Sequence, residues 1–208
     1  MSLVNIIDYF TSFRKTLLSE IECYYAKGNI NELSENIITN RSNAKQYKSL
    51  PIGIIVASDS KRFETGPMAA TLLKDAGFTI LEIQNVSNPE INEALHKMLA
   101  KTNCSSIICI GGTGISKNDI TIEAVKSNII KEIPGFGELF RFITHEKWKH
   151  LKDEIGYLSI GTRLVAGVSS DSKLIYSLPG SPEAVKLAIT ELIIPDICTL
   201  IAQLKKDE

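Results

Sequence analysis

An α/β fold built on a largely parallel sheet is what this sequence predicts, and two observations predict it. From Pro51 onward short β-branched runs alternate with amphipathic segments, which is how consecutive βαβ units are written. The 208 residues are 44% hydrophobic and 23% charged, the balance of a globular protein of one or at most two domains, and a mainly disordered chain is excluded.

The first 50 residues follow another pattern. Ile6, Phe10, Phe13, Leu17, Ile21 and Tyr24 recur at three- or four-residue steps, giving one apolar helical face that stops near Lys27-Gly28-Asn29. A short second helix over 31–38 and a polar linker over 39–49 complete a helical N-terminal extension, residues 1–49, ahead of a domain over 50–208. In that domain Ile52 to Ala57 reads as a buried strand, Pro67 to Ala76 as a helix closed by Gly77, and Phe78 to Val86 as the second strand. A helix from Pro89 to Ala100 opens on a proline whose missing N–H costs nothing in the first turn. Ser106 to Ile110 is the third strand, and Ile120 to Ile129 a helix. A turn at Pro134-Gly135, a helix from Glu138 to about Lys149, and strands near 157–168 and 173–178 follow. The last helix starts at Ser181-Pro182 and is expected to be interrupted by Pro195.

Charge narrows the function classes. Twenty-three Lys+Arg against 24 Asp+Glu leave −1, so no global positive field collects nucleic acid or an anionic membrane, and an anion must be met locally. No apolar run approaches the roughly 20 residues of a spanning helix, and the N-terminus lacks a secretory pattern. Cys23, Cys104, Cys109 and Cys198 contain no C-x-x-C pair and read as free thiols, so a cytoplasmic protein is expected. His96, His145 and His150 show no metal-ligand spacing, and Trp148 reads as packing.

Three polar segments each follow an expected strand, and in open α/β sheets such loops converge on the ligand crevice. They are Ser58-Asp59-Ser60, Gly111-Gly112-Thr113-Gly114 and Pro179-Gly180-Ser181-Pro182. The glycine run lets backbone N–H groups approach an anion, although a tight βα turn would have the same composition. It is neither a P-loop nor G-x-G-x-x-G. Asp119 stands at a helix start, where it either caps the helix or holds Mg²⁺ beside phosphates; Asn118 could take over the capping. Asp59 has the same two readings. Ser181-Pro182 is a sufficient helix start that still offers free N–H groups to an anion. Glu138 and Arg141, three apart, read as a helix-surface pair.

Taken together, G-G-T-G-I-S-K-N-D-I-T-I-E-A at 111–124, P-G-F-G-E-L-F-R at 134–141 and S-L-P-G-S-P at 177–182 resemble the MoaB/MogA-type molybdopterin-binding domain of molybdenum cofactor biosynthesis. Ser58-Asp59-Ser60 and Thr162-Arg163 look like further family positions, and the resemblance spans about 51–203. It implies a three-layer αβα sandwich with a mostly parallel sheet, assembling as a homotrimer or homohexamer. It also implies binding of molybdopterin and adenylylation of its terminal phosphate with Mg-ATP, with pyrophosphate released. Asp119 would then hold Mg²⁺ or orient the nucleophilic phosphate, with Asp59 as its catalytic companion. Ser58, Ser60, Gly111, Gly112, Thr113, Gly114, Glu138, Pro179, Gly180 and Ser181 would line the ligand site. This chain departs from the family's pattern in Asn88, where an acidic residue is usual, in Thr162 for Ser, and in Glu64-Thr65-Gly66 for Asp-x-Ser-Gly. The Asn88 departure is consistent with a noncatalytic molybdopterin carrier, and a related nucleotide pyrophosphate hydrolase is a third reading that the resemblance leaves open.

Overall fold

The computed structural model describes residues 42–58, 63–148 and 160–206. The chain divides into two units, Met1–Asn43 and Ala44–Glu208. The helices expected over 6–28 and 31–38 lie outside the described residues, as do Asp59, Ser60 and the stretch expected to begin a strand at 157.

Six strands form one mixed sheet: β1 (Ile52–Ala57), β2 (Ile80–Val86), β3 (Ser106–Ile110), β4 (Lys131–Glu132), β5 (Val165–Val168) and β6 (Leu174–Leu178), in the order β2-β1-β3-β6-β5-β4. The first four in that order are parallel to one another; β5 pairs antiparallel with β6, and β4 antiparallel with β5. The central strands β1, β3 and β6 are buried along their whole length, which is why they are predominantly apolar, with Ser106 and Ser177 the buried polar exceptions. Their residues still alternate between two faces. Ile54, Val56, Ile108, Ile110, Tyr176 and Leu178 enter one core cluster, and Ile55, Ala57, Ile107, Cys109 and Ile175 enter the other. Each fully buried Ile or Leu contributes about 1.5–3 kcal/mol, so the two clusters fix the register of the sheet.

Helices α1 (Thr65–Asp75), α2 (Ile91–Leu99), α3 (Thr121–Asn128), α4 (Pro134–Trp148), α5 (Pro182–Leu187) and α6 (Ile194–Leu204) cover the sheet. Ala69, Leu73, Phe140, Val185 and Ile197 pack in the first cluster, Ile91, Leu95 and Val125 in the second, which makes the three-layer sandwich.

Four expectations are corrected. The last helix does not stop at Pro195: a π-helical stretch, Ala188–Ile193, precedes it, and its wider turn accommodates the missing N–H and the ring before the helix resumes as α6. The helix expected from Glu138 begins at Pro134, a residue preorganised for a first turn, so Gly135 to Glu138 are helical. Of the strand expected over 157–168, the described part becomes extended sheet only at Val165, where pairing with β6 begins. The expected linker is, over Lys45–Ser49, a short 3₁₀ helix, with Ala44 buried in the core and Lys48 donating from Nζ to Ala76 O at 2.5 Å. β4 carried no sequence signal, because two residues are too few for an alternation to show.

Candidate functional site

The parallel strands end on a common edge, and the segments that follow them enclose a cleft of about 610 Å³. Ser58 follows β1, Asn88 follows β2, Gly111 to Gly114 follow β3, and Gly180 to Pro182 follow β6; Glu64, Thr65, Ser116 and Asp119 complete the polar lining. This is where an open α/β sheet holds its ligand.

Gly111 and Gly112 shape the loop. Their φ values of +87° and +61° lie in the left-handed region that L side chains avoid. A Cβ on Gly111 would stand 2.3 Å from Ala57 O, and one on Gly112 would stand 2.5 Å from Thr121 Oγ1 and 2.9 Å from Asn88 Oδ1. The loop is pinned from behind at three points. Gly111 N donates to Leu178 O at 2.9 Å, Thr121 N to Gly112 O at 3.0 Å, and Arg163 Nε to Thr113 O at 3.1 Å. The amides of Gly112, Thr113 and Gly114 donate to no group among the described residues. Because N–H and C=O point in opposite directions across a trans peptide, holding the Gly112 and Thr113 carbonyls turns the next two N–H groups to the other side of the loop, toward the cleft.

Asp119 does not cap α3. The N-cap is Ile120, with no side-chain cap bond, and neither Asn118 nor Asp119 takes that role. Asp119 Oδ2 accepts instead from Ser116 N at 3.1 Å and Ser116 Oγ at 2.5 Å, closing a small loop that sets its carboxylate in the cleft wall. Oδ1 accepts no hydrogen bond among the described residues. Ser181 has both expected roles: its Oγ accepts from Ala184 N at 3.3 Å as the cap of α5, and it lines the cleft.

Glu90 does not stand in for the missing acid at 88. Its Oε2 accepts from Ser87 N at 2.9 Å and Ser87 Oγ at 2.6 Å in a capping box, bonds that hold its carboxyl below the usual range, and it does not line the cleft. Asn88, buried in the fold, does line it. Pro179 lies just outside the lining. Glu138 is exposed on α4 and is not among the cleft residues. The expected Glu138–Arg141 pair is not formed: the Arg141 guanidinium folds back toward side-chain-free Gly137, 3.2 Å from where a Cβ would stand.

Sequence reasoning did not assign Glu64, Thr65, Ser116 or Arg163 to the site. Glu64 had a signal, since Glu64-Thr65-Gly66 stands where the family pattern has Asp-x-Ser-Gly. It occupies the N-cap position of α1 without making a side-chain cap bond. Among the described residues no group of three or more His, Cys, Asp or Glu side chains is placed to hold a metal ion, and no helix is long and apolar enough to cross a membrane. A second cavity, about 220 Å³, opens at the opposite, amino-terminal edge of the strands beside Cys104 and Lys173. There the Lys173 ammonium is engaged by the carbonyls of Leu99 and Lys101.

The fold and the cleft define an α/β domain whose ligand crevice lies beyond the carboxyl ends of parallel strands. A family model described as "Probable molybdopterin binding domain" matches residues 53–199. The chain belongs to this MoaB/MogA-type molybdopterin-binding family. It is 38% identical over 174 residues to molybdenum cofactor biosynthesis protein B of Staphylococcus aureus strain MRSA252, covering 79% of this chain and 97% of that one. The protein of the same name from Halalkalibacterium halodurans is 36% identical over 165 residues, covering 77% and 93%. Among solved structures, a molybdenum cofactor biosynthesis protein B superposes with a TM-score of 0.66 at 34% identity, covering 75% of this chain and 96% of the other. The tungsten cofactor synthesizing protein MoaB from Pyrococcus furiosus gives the same TM-score at 29% identity, covering 76% and 99%.

Proposed function

We propose that this chain acts in molybdenum cofactor biosynthesis, binding molybdopterin and adenylylating its terminal phosphate with Mg-ATP. The observation that carries the reading is the run of unengaged amides at Gly112, Thr113 and Gly114 in a cleft that also holds Asp119. Three adjacent N–H donors with no side chain in the way at two of the positions match a phosphate group in shape and charge.

In the reaction an oxygen of the pterin's terminal phosphate attacks the α-phosphorus of ATP. A new phosphorus–oxygen bond forms, the bond from the α-phosphorus to the α,β-bridging oxygen breaks, and pyrophosphate leaves with that electron pair. Such a transfer needs positioning and charge stabilisation more than covalent help from the protein. The glycine-loop amides hold one phosphate in line, Ser58 and Ser181 orient neighbouring oxygens, and the carboxylate of Asp119, fixed by Ser116, sets the electrostatics beside them. Mg²⁺ fits the donor set: the described lining offers carboxylate oxygens at Asp119 and Glu64 and no Lys or Arg to neutralise phosphate. Bound with the nucleotide, it would offset the charge of the transferring and leaving groups. Asp59 and Ser60, which follow Ser58 in the sequence, are proposed as a catalytic and a binding group.

One observation favours a second reading, a noncatalytic carrier of molybdopterin. Asn88 puts a neutral amide in the cleft, and Glu90, locked to Ser87, supplies no replacement charge. Pyrophosphate release from ATP separates the two. Release that requires molybdopterin supports transfer; molybdopterin binding without release supports the carrier; release of nucleotide fragments without pterin overturns both.

Assembly into a homotrimer or homohexamer is part of the proposal, supported by Leu139 and Phe142, large apolar side chains 48% and 61% exposed one turn apart on α4. Light scattering is expected to give a multiple of 22.9 kDa. Phe142→Glu is expected to shift the mass toward that of one chain, and a wild-type monomer would refute the assembly.

A further inference from the structure

Arg163 does not line the cleft, yet it touches the loop that does. Its Nε donates to Thr113 O at 3.1 Å, and its terminal nitrogen pairs with Glu123 Oε2 on α3 at 2.9 Å. The guanidinium is planar with fixed donors, so anchoring one edge to Glu123 fixes the direction in which Nε is offered. The contact also holds the Glu123 carboxyl below the usual carboxylate range, with the Arg163 hydrogen bond as the largest cause.

The consequence lies on the other face of the peptide. The Thr113 carbonyl and the Gly114 N–H belong to one planar trans unit, so capturing the carbonyl sets the N–H direction. Thr121 N does the same for the Gly112–Thr113 unit through Gly112 O. That second clamp is main chain and comes with the start of α3, whereas the clamp on the Thr113–Gly114 unit comes entirely from the Arg163 side chain. Glycine at 114 makes that unit free to turn if the clamp is removed.

We infer that Arg163 is a positioning residue: through Thr113 O, and braced by Glu123, it orients the Gly114 amide of the phosphate cradle. The inference rests on the phosphate-binding reading above. A carbonyl turned toward the cleft would replace a donor with an acceptor facing a phosphate, so the effect on binding exceeds the loss of a surface contact.

The test is titration of the full chain with Mg-ATP and with inorganic pyrophosphate, alongside amide hydrogen exchange. Arg163→Ala is expected to weaken both ligands about tenfold and to speed exchange at Gly114 while leaving β3 amides unchanged. Arg163→Lys, with one compact ammonium in place of the fork, is expected to recover part of the affinity, and Glu123→Gln to lose less than Arg163→Ala. Wild-type affinity in Arg163→Ala overturns the inference, as does weakening accompanied by faster exchange throughout β3. If the wild-type chain binds neither probe, the phosphate reading itself fails and takes the inference with it.

Discussion

Asp119→Asn is expected to leave the fold standing and to lower adenylyl transfer about a hundredfold or more, the scale of losing one preorganised electrostatic contact. The structure removes the competing explanation, because Asp119 makes no cap to α3 and its removal cannot fray that helix. An Asn side-chain oxygen can still accept from Ser116 N and Oγ, now without the charge that strengthens those bonds, so the loss of stability should stay near 1 kcal/mol. Ser116→Ala is the matched control. It loosens the same loop and keeps the carboxylate, so it should retain most of the turnover. Equal losses in the two variants would mean that Asp119 serves only to shape the loop. Near-normal turnover of Asp119→Asn at saturating Mg²⁺ would pass the role to Glu64, which lines the cleft, or to Asp59; Glu90 is already engaged with Ser87.

The parts of the fold legible in the sequence are those that long apolar runs dictate. β3 falls where Ser106 to Ile110 was expected, because a strand buried on both faces is rich in apolar, β-branched residues, here Ile107, Ile108 and Ile110. The three loops of the cleft were legible for a related reason: each follows such a strand and is rich in Gly, Ser or Pro. What could not be read was settled by contacts distant in sequence. Whether Asp119 caps or turns back on Ser116 depends on the path of residues 115–118, which no local preference decides. Arg163 meets Thr113 across 50 residues, and Glu64 reaches the cleft only because α1 starts beside the end of β1. The π-helical turn before Pro195 is likewise a tertiary result: Ala188, Ile189, Ile193 and Ile197 are all buried, and their packing keeps the helix going where proline alone would end it.

Gly112→Val is expected to damage both stability and ligand binding, with binding suffering more. At a φ of +61° a β-branched residue is strained by about 1–3 kcal/mol before any contact is considered. Its Cβ would also stand 2.5 Å from Thr121 Oγ1 and 2.9 Å from Asn88 Oδ1. Thr121 is fully buried and Asn88 nearly so, so neither can withdraw to solvent and the loop itself must move. With a total cost of about 2–4 kcal/mol, the thermal midpoint of a chain this size should fall by about 5–15 °C, leaving a folded population at low temperature. In that population the amides of Thr113 and Gly114 no longer converge, and affinity for Mg-ATP or pyrophosphate should drop by more than tenfold. Gly135→Ala is the control, since nothing lies within 4 Å of its Cβ position, and it should change neither quantity. The discriminating measurement is ligand affinity of the folded Gly112→Val protein well below its midpoint. Normal affinity there would reduce the glycine run to a tight turn between β3 and α3, and the phosphate cradle would have to be sought elsewhere in the cleft.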